Sequence, residues 1–177
     1  MTWPLITIIM TTWAPEGEEG EKRIAAVRQS LESWIPHLKY EGELALHVAD
    51  DGSRCGDYAT SVDSPPATWW PGLRSFSRQE RRGVGASLNM GLQVAFGRSE
   101  DALALYVVDD WSLHCDLDLT EWASLLTHED IGMVRFGPAH PNCFGRIEHF
   151  GSVTVPVDHD GFCLRLVPQV VGADRRA

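Results

Sequence analysis

No stretch of this 177-residue chain stays apolar for the ~20 residues that a membrane-spanning helix requires, so no span is expected. Positive charge is also scarce: 15 Lys and Arg stand against 25 Asp and Glu, leaving a net charge of −10. That balance argues against nucleic acid or an anionic membrane as partner, because both demand a broad basic face. A small anionic ligand held by a metal ion and a few arginines is still compatible with it. Cysteine is sparse and scattered. Cys55, Cys115, Cys143 and Cys163 form no Cys-x-x-Cys pair, which disfavours a zinc site or a disulfide framework and favours reduced thiols in a cytoplasmic setting. The first residues lack the basic start and cleavage signal of a secretory leader, and residues 5–10 read as a strand. No repeat, low-complexity segment or linker interrupts the chain. One domain over 1–177, in two unequal lobes, is therefore expected.

Residues 102–108 form an unbroken aliphatic run, followed by Asp109 and Asp110. A charge-free run of this length predicts a strand buried on both faces, as central parallel strands are. Ligands of open α/β sheets bind just beyond the carboxyl ends of such strands. Two acids at that edge need a cation or water. They read equally well as a turn or helix-starting pair.

Upstream, residues 5–10 predict strand one. Ile24, Val27, Leu31, Trp34, Ile35 and Leu38 then repeat at spacings of three and four, the apolar face of a helix. Glu18, Glu19 and Glu21 sit near its positive N-terminal end, and Pro36 kinks or closes its last turn. Residues 44–49 predict strand two. Strand, helix and strand at this spacing make a parallel βαβ unit, with both strands ending on one sheet edge. Thr11 and Thr12 end the first strand; Asp50 and Asp51 end the second. A hydroxyl and a carboxylate placed there suit the imide edge of a pyrimidine base. Loop capping by the threonines, and an ordinary turn at Asp50-Asp-Gly-Ser53 with Gly52 at positive φ, are the simpler readings.

Residues 54–77 are irregular, with a short strand at 73–76 and with Trp69 and Trp70 covering core. Arg78, Arg81 and Arg82 precede a Gly-rich helix start, a setting for a diphosphate or a solvated charge run. Leu88, Leu92, Ala95 and Phe96 are expected to face inward from that helix. A short helix at 120–126 capped by Asp118 or Thr120, a strand at 131–136, and a hairpin turning at 158–161 complete the chain.

In order and spacing these pieces resemble the family 2 glycosyltransferases of the GT-A fold. The pieces are Ile8-Ile-Met-Thr-Thr-Trp13, Val48-Ala-Asp-Asp-Gly-Ser53, Arg82-Gly-Val-Gly-Ala-Ser-Leu-Asn89 and Tyr106-Val-Val-Asp-Asp110. The resemblance covers roughly residues 5–136. It implies an α/β, Rossmann-like, mostly parallel sheet flanked by helices, with a short C-terminal hairpin lobe. About 1–110 would form the nucleotide-sugar-binding half and about 111–177 a reduced acceptor half. It implies a metal-dependent glycosyltransferase that moves a sugar from a nucleotide-diphosphate donor, UDP above all, to an acceptor hydroxyl with inversion, using Mn²⁺ or Mg²⁺. By the same resemblance Thr11, Thr12, Asp50, Asp51, Arg82 and Asp109 would bind the nucleotide sugar. Asp110 would hold the metal with Asp109, and His159 is a further metal candidate. Asp158 and Asp160 are the base candidates, with Glu148 behind them. The chain departs from the family in having Ala14-Pro15 where Asn-Arg is usual after the first Thr, and in lacking a clear late acid pair. A non-catalytic nucleotide-sugar-binding or scaffold module is therefore the alternative. An acceptor site completed by a partner chain or a second copy fits the short second half. A nucleotidyltransferase is disfavoured, because residues 11–20 carry three glutamates and no Lys or Arg.

Overall fold

The computed structural model describes residues 2–55, 70–99, 101–113 and 115–126, together with the backbone of three short strands, 134–135, 156–159 and 162–166. Contacts divide the chain into two compact units, Met1–Thr120 and Glu121–Ala177. No helix among the described residues is long and apolar enough to cross a membrane.

The first unit is α/β. Strand β1 (Ile6–Thr12) lies between β3 (Leu44–Asp50) and β5 (Leu103–Val108), and β4 (Leu73–Arg78) lies beyond β3. All the pairings are parallel, with Thr12 opposite Asp50 and Thr11 opposite Val108. Helices α1 (Glu18–His37) and α2 (Val84–Phe96) flank this sheet. A two-residue parallel pairing joins β2 (Leu38–Lys39) to β6 (Leu117–Asp118). Helix α3 (Leu119–Leu125) follows, and the Asp118 carboxylate caps it through the Thr120 N–H at 2.8 Å.

The βαβ expectation holds, but the buried strand is not the one that the apolar run suggested. All seven residues of β1 are buried. Among the described residues β5 pairs with β1 alone, and only Val107 of its six residues is buried, with Tyr106 40% exposed. An apolar run reports side-chain polarity, not the number of neighbouring strands. Helix α1 buries Ile24, Val27, Leu31 and Trp34 as its periodicity predicts, and Leu38 just beyond it; Ile35 turns outward. It ends at His37, one residue after Pro36.

Helix α2 meets a second expectation at Ala95 and corrects it at Leu88, Leu92 and Phe96. Its buried residues are Ser87, Gly91 and Ala95; Leu88 and Leu92 are half-buried, and Phe96 is exposed. The helix lies so close on the sheet that a Cβ at Gly91 would come within 2.4 Å of Ile9 Cγ2. Small residues at spacing four make that approach possible, and a search for large apolar residues passes over them.

Beside Gly91, on β3, His47 is 1% exposed. Its two ring nitrogens bond the Ser75 and Ser77 hydroxyls on β4, each at 2.8 Å. Burial, aided by the Arg98 charge, lowers its pKa from 6.5 to about 4. Between those values the unfolded chain binds a proton that the folded chain refuses. Acidification over that window therefore erodes His47's share of stability, at up to about 1.4 kcal/mol per pH unit. The carboxyls of Asp50 and Asp109, raised by burial, act in the opposite sense. They are common to wild type and His47→Gln, so they cancel in the comparison. Urea titrations from pH 7 to 4 should show wild type losing stability more steeply than His47→Gln; parallel profiles would contradict this.

In the second unit, β9 (Phe162–Leu166) pairs antiparallel with β7 (Val134–Arg135) and with β8 (Pro156–His159). The expected hairpin is present. His159 pairs with Phe162, so Asp158 and His159 belong to the strand and not to the turn. The expected strand over 131–136 is described only at 134–135.

Candidate active site

The chain steps from β1 to β3 and β4 on one side, then crosses to β5 on the other side of β1. The strand order therefore reverses at β1, and the gap beyond the carboxyl ends of β1 and β5 is where open α/β sheets bind ligands. A cleft of about 250 Å³ opens there, lined by Thr11 and Thr12 at the end of β1 and Trp13 after it, Asp51 after β3, and Asp109 and Asp110 after β5. Arg23 of α1 and Val84 and Ser87 of α2 complete its walls. Its volume falls just below the ~300–1,000 Å³ usual for small-molecule pockets.

Hydrogen bonds fasten the three strand tips together. The Asp51 N–H donates to the Thr12 carbonyl at 2.9 Å, and the Ala14 N–H donates to Ser53 Oγ at 2.8 Å. Gly52 holds the turn between them at φ 77°, as its sequence context predicts. Thr12 Oγ1 donates to Asp109 Oδ2 at 3.0 Å, across 97 residues of chain. Thr11 Oγ1 lies 3.1 Å from the Tyr106 hydroxyl.

The acid pair occupies the tight turn that ends β5, closed by the Trp111 N–H to the Val108 carbonyl at 3.3 Å. Helix α1 pins the next residues: Ser30 Oγ and Trp34 Nε1 both donate to the Trp111 carbonyl, and Ser33 Oγ accepts from the Leu113 N–H at 2.9 Å. The two acids meet different surroundings. Asp109 is buried, bonded by Thr12 and by Arg23 Nη2 at 3.3 Å. Burial raises its carboxyl above the ordinary range, the Arg23 charge and the Thr12 bond pull it back, and the Asp110 charge adds to the rise. Asp110 is exposed in the cleft, and among the described residues no hydrogen bond or ion pair holds its carboxylate.

The other acid pair also divides. Asp50, expected at the ligand edge, has no exposed surface. Its carboxylate accepts from the Ser53 N–H at 3.0 Å and from the Ser53 hydroxyl, and pairs with Arg78 Nε at 3.3 Å. Burial still holds it above its usual pKa. Its place is in the framework under the cleft. Asp51 lines the cleft and accepts from the Arg82 N–H at 2.8 Å, the Gly83 N–H at 2.9 Å and Gln79 Nε2 at 3.0 Å. Desolvation raises its carboxyl, but these donors together outweigh that and hold it below the ordinary range.

Arg82 contributes its backbone N–H to this cap while the residue itself is exposed, and neither it nor Arg78 nor Arg81 lines the cleft. Arg81 lies over Trp13, its guanidinium carbon 3.8 Å from the ring centroid. Trp70 is buried, as expected of a core residue; Trp69 lies outside the described residues. Asp160 and Glu148 also lie outside them, and Asp158 and His159 are described only as backbone of β8. Sequence reasoning missed Arg23, which stands among the charged residues that open α1 and whose partner lies 86 positions away.

Among the described residues no group of three His, Cys, Asp or Glu side chains forms a ready-made metal cage. A cation shared with a diphosphate needs less, one or two carboxylates with the remaining oxygens coming from ligand and water. Asp110, with Asp109 beside it, meets that requirement. Compared with known proteins, the chain matches no family model and no curated protein.

Proposed function

We propose that the chain is a metal-dependent glycosyltransferase of the GT-A kind, transferring a sugar from a UDP-linked donor to an acceptor hydroxyl with inversion. The observation that carries this reading is the convergence of Thr11, Asp51 and Asp110, from three separate strands, on one cleft at the point where strand order reverses.

In this reading Asp51 and Thr11 face the base. Of the two Asp51 oxygens, Oδ1 already accepts three bonds and Oδ2 one, which leaves Oδ2 an acceptor for an imide N–H. Asp110 would hold Mn²⁺ or Mg²⁺, with Asp109 beside it turned toward the ribose or sugar. The cation supplies charge neutralisation for the leaving diphosphate. The chain's own residues orient the donor: the laced tips of β1 and β3 fix the nucleotide end, and the pinned turn after β5 fixes the acids. The acceptor hydroxyl attacks the anomeric carbon as the bond to the diphosphate breaks, and its proton passes to a carboxylate, for which Asp158 and Asp160 stand as candidates by sequence position. UDP-hexose donors incubated with Mn²⁺ should release UDP, and chelation should stop the release. Tight UDP binding without turnover over a range of acceptors would favour the non-catalytic module instead, and no UDP binding at all would remove both readings.

A further inference from the structure

A cleft that takes an anion needs a cation, and the arginines that the sequence puts forward are engaged elsewhere. Arg78 serves the buried Asp50 and the Ser53 carbonyl. Arg81 lies on Trp13. The start of α2, the other natural anion seat, already holds a carboxylate, because the Arg82 and Gly83 N–H groups donate to Asp51. A diphosphate placed there would meet that negative charge at close range in partly desolvated surroundings.

Arg23 differs from all of these. It is the one cationic side chain among the described residues lining the cleft. Its Nη2 spans both Asp109 oxygens, at 3.3 and 3.4 Å. That is longer than the ~2.7–2.9 Å of a tight charge-assisted bond. Its side chain is 41% exposed, whereas that of Asp109 is 8% exposed. The acid is therefore fixed in place and the guanidinium can leave. A buried carboxylate is costly as an anion without a positive neighbour. With a divalent cation held by Asp110, Asp109 would have another positive neighbour, and the Arg23 guanidinium would be free to turn to the diphosphate.

We propose that Arg23 is an exchangeable counter-ion: it neutralises Asp109 in the empty cleft and passes to the diphosphate when nucleotide and cation bind, so that the two ligands enter cooperatively. The exchange leaves the charge around Asp109 balanced at each stage. It rests on the functional reading above and adds a residue to it, placed on α1.

Titration calorimetry with Mn²⁺ alone, UDP alone and the two together, on wild type, Arg23→Gln and Arg23→Lys, tests this. In wild type, UDP and Mn²⁺ should each tighten the other. Arg23→Gln should bind Mn²⁺ alone more tightly than wild type, because Asp109 is released. It should bind UDP–Mn²⁺ about tenfold more weakly, the size of losing one hydrogen bond to a charged group, and the mutual tightening should shrink. Arg23→Lys keeps the charge but not the fork and should fall between the two. It reads the same exchange if the glutamine variant does not fold: weaker UDP–Mn²⁺ binding supports the proposal, and wild-type binding overturns it. UDP–Mn²⁺ binding in wild type that neither substitution alters would overturn the role of Arg23 and leave the functional reading standing. No UDP binding by wild type, with or without Mn²⁺, would overturn both.

Discussion

Asp110→Asn is expected to abolish Mn²⁺-dependent UDP binding while leaving the unfolding midpoint of the chain unchanged. Asp110 is exposed, lines the cleft, and among the described residues makes no hydrogen bond or ion pair that its loss would break. Surface substitutions of that kind stay within about 0.5 kcal/mol of wild-type stability. The effect on binding is large because so few protein ligands are on offer. Asp109 is buried and bonded by Thr12, so a cation shared with a diphosphate depends on the exposed Asp110. Since loss of an outer-shell partner alone costs roughly 10–100-fold in metal affinity, loss of the ligand should cost about 100-fold or more. Calorimetry on wild type and Asp110→Asn gives the affinity, and a urea melt gives the stability. Unchanged UDP–Mn²⁺ affinity would remove Asp110 from the site.

Asp50→Ala should do the reverse, lowering stability by about 2–4 kcal/mol, because a buried ion pair loses one member and buried donors lose their acceptor. The carboxylate is fully buried and serves the Ser53 N–H, the Ser53 hydroxyl and Arg78 Nε. Ser53 is itself fully buried, so water cannot replace the lost acceptor. Arg78 is 31% exposed and can turn toward solvent, which keeps the loss below that of a wholly buried pair. A urea midpoint lowered at unchanged slope would show it; a loss under about 0.5 kcal/mol would put Asp50 among ordinary surface residues. The adjacent acids of this motif thus part into a framework residue, Asp50, and a cleft residue, Asp51.

Features set by local periodicity were legible in the sequence. The spacing of Ile24, Val27, Leu31 and Trp34 fixes the buried face of α1, and the aliphatic runs at 5–10, 44–49 and 102–108 fix the strands of a parallel sheet. The polar ends of β1, β3 and β5 share an edge because parallel strands must. Features set by close approach or by distant partners were not legible. The inner face of α2 is Ser87, Gly91 and Ala95 because the helix lies against Ile9, and no pattern of large apolar residues marks such a contact. The apolarity of residues 103–108 does not say how many strands flank them. The split between Asp50 and Asp51 depends on Arg78 and on the start of α2, some thirty residues on. Arg23 carries no local signal, since its role exists only where α1 passes the turn after β5.

The ends of β1, β3 and β5 are proposed to form one seat for a cation and a nucleoside diphosphate. A crystal soaked with UDP and Mn²⁺, with the manganese located by its anomalous scattering, tests that most directly. The expected result is a single strong peak within coordination distance of Asp110, with uracil against Thr11 and Asp51 and the diphosphate between the metal and Arg23. A metal bound away from Asp110, or a nucleotide lying anywhere other than the cleft beyond β1 and β5, would contradict it.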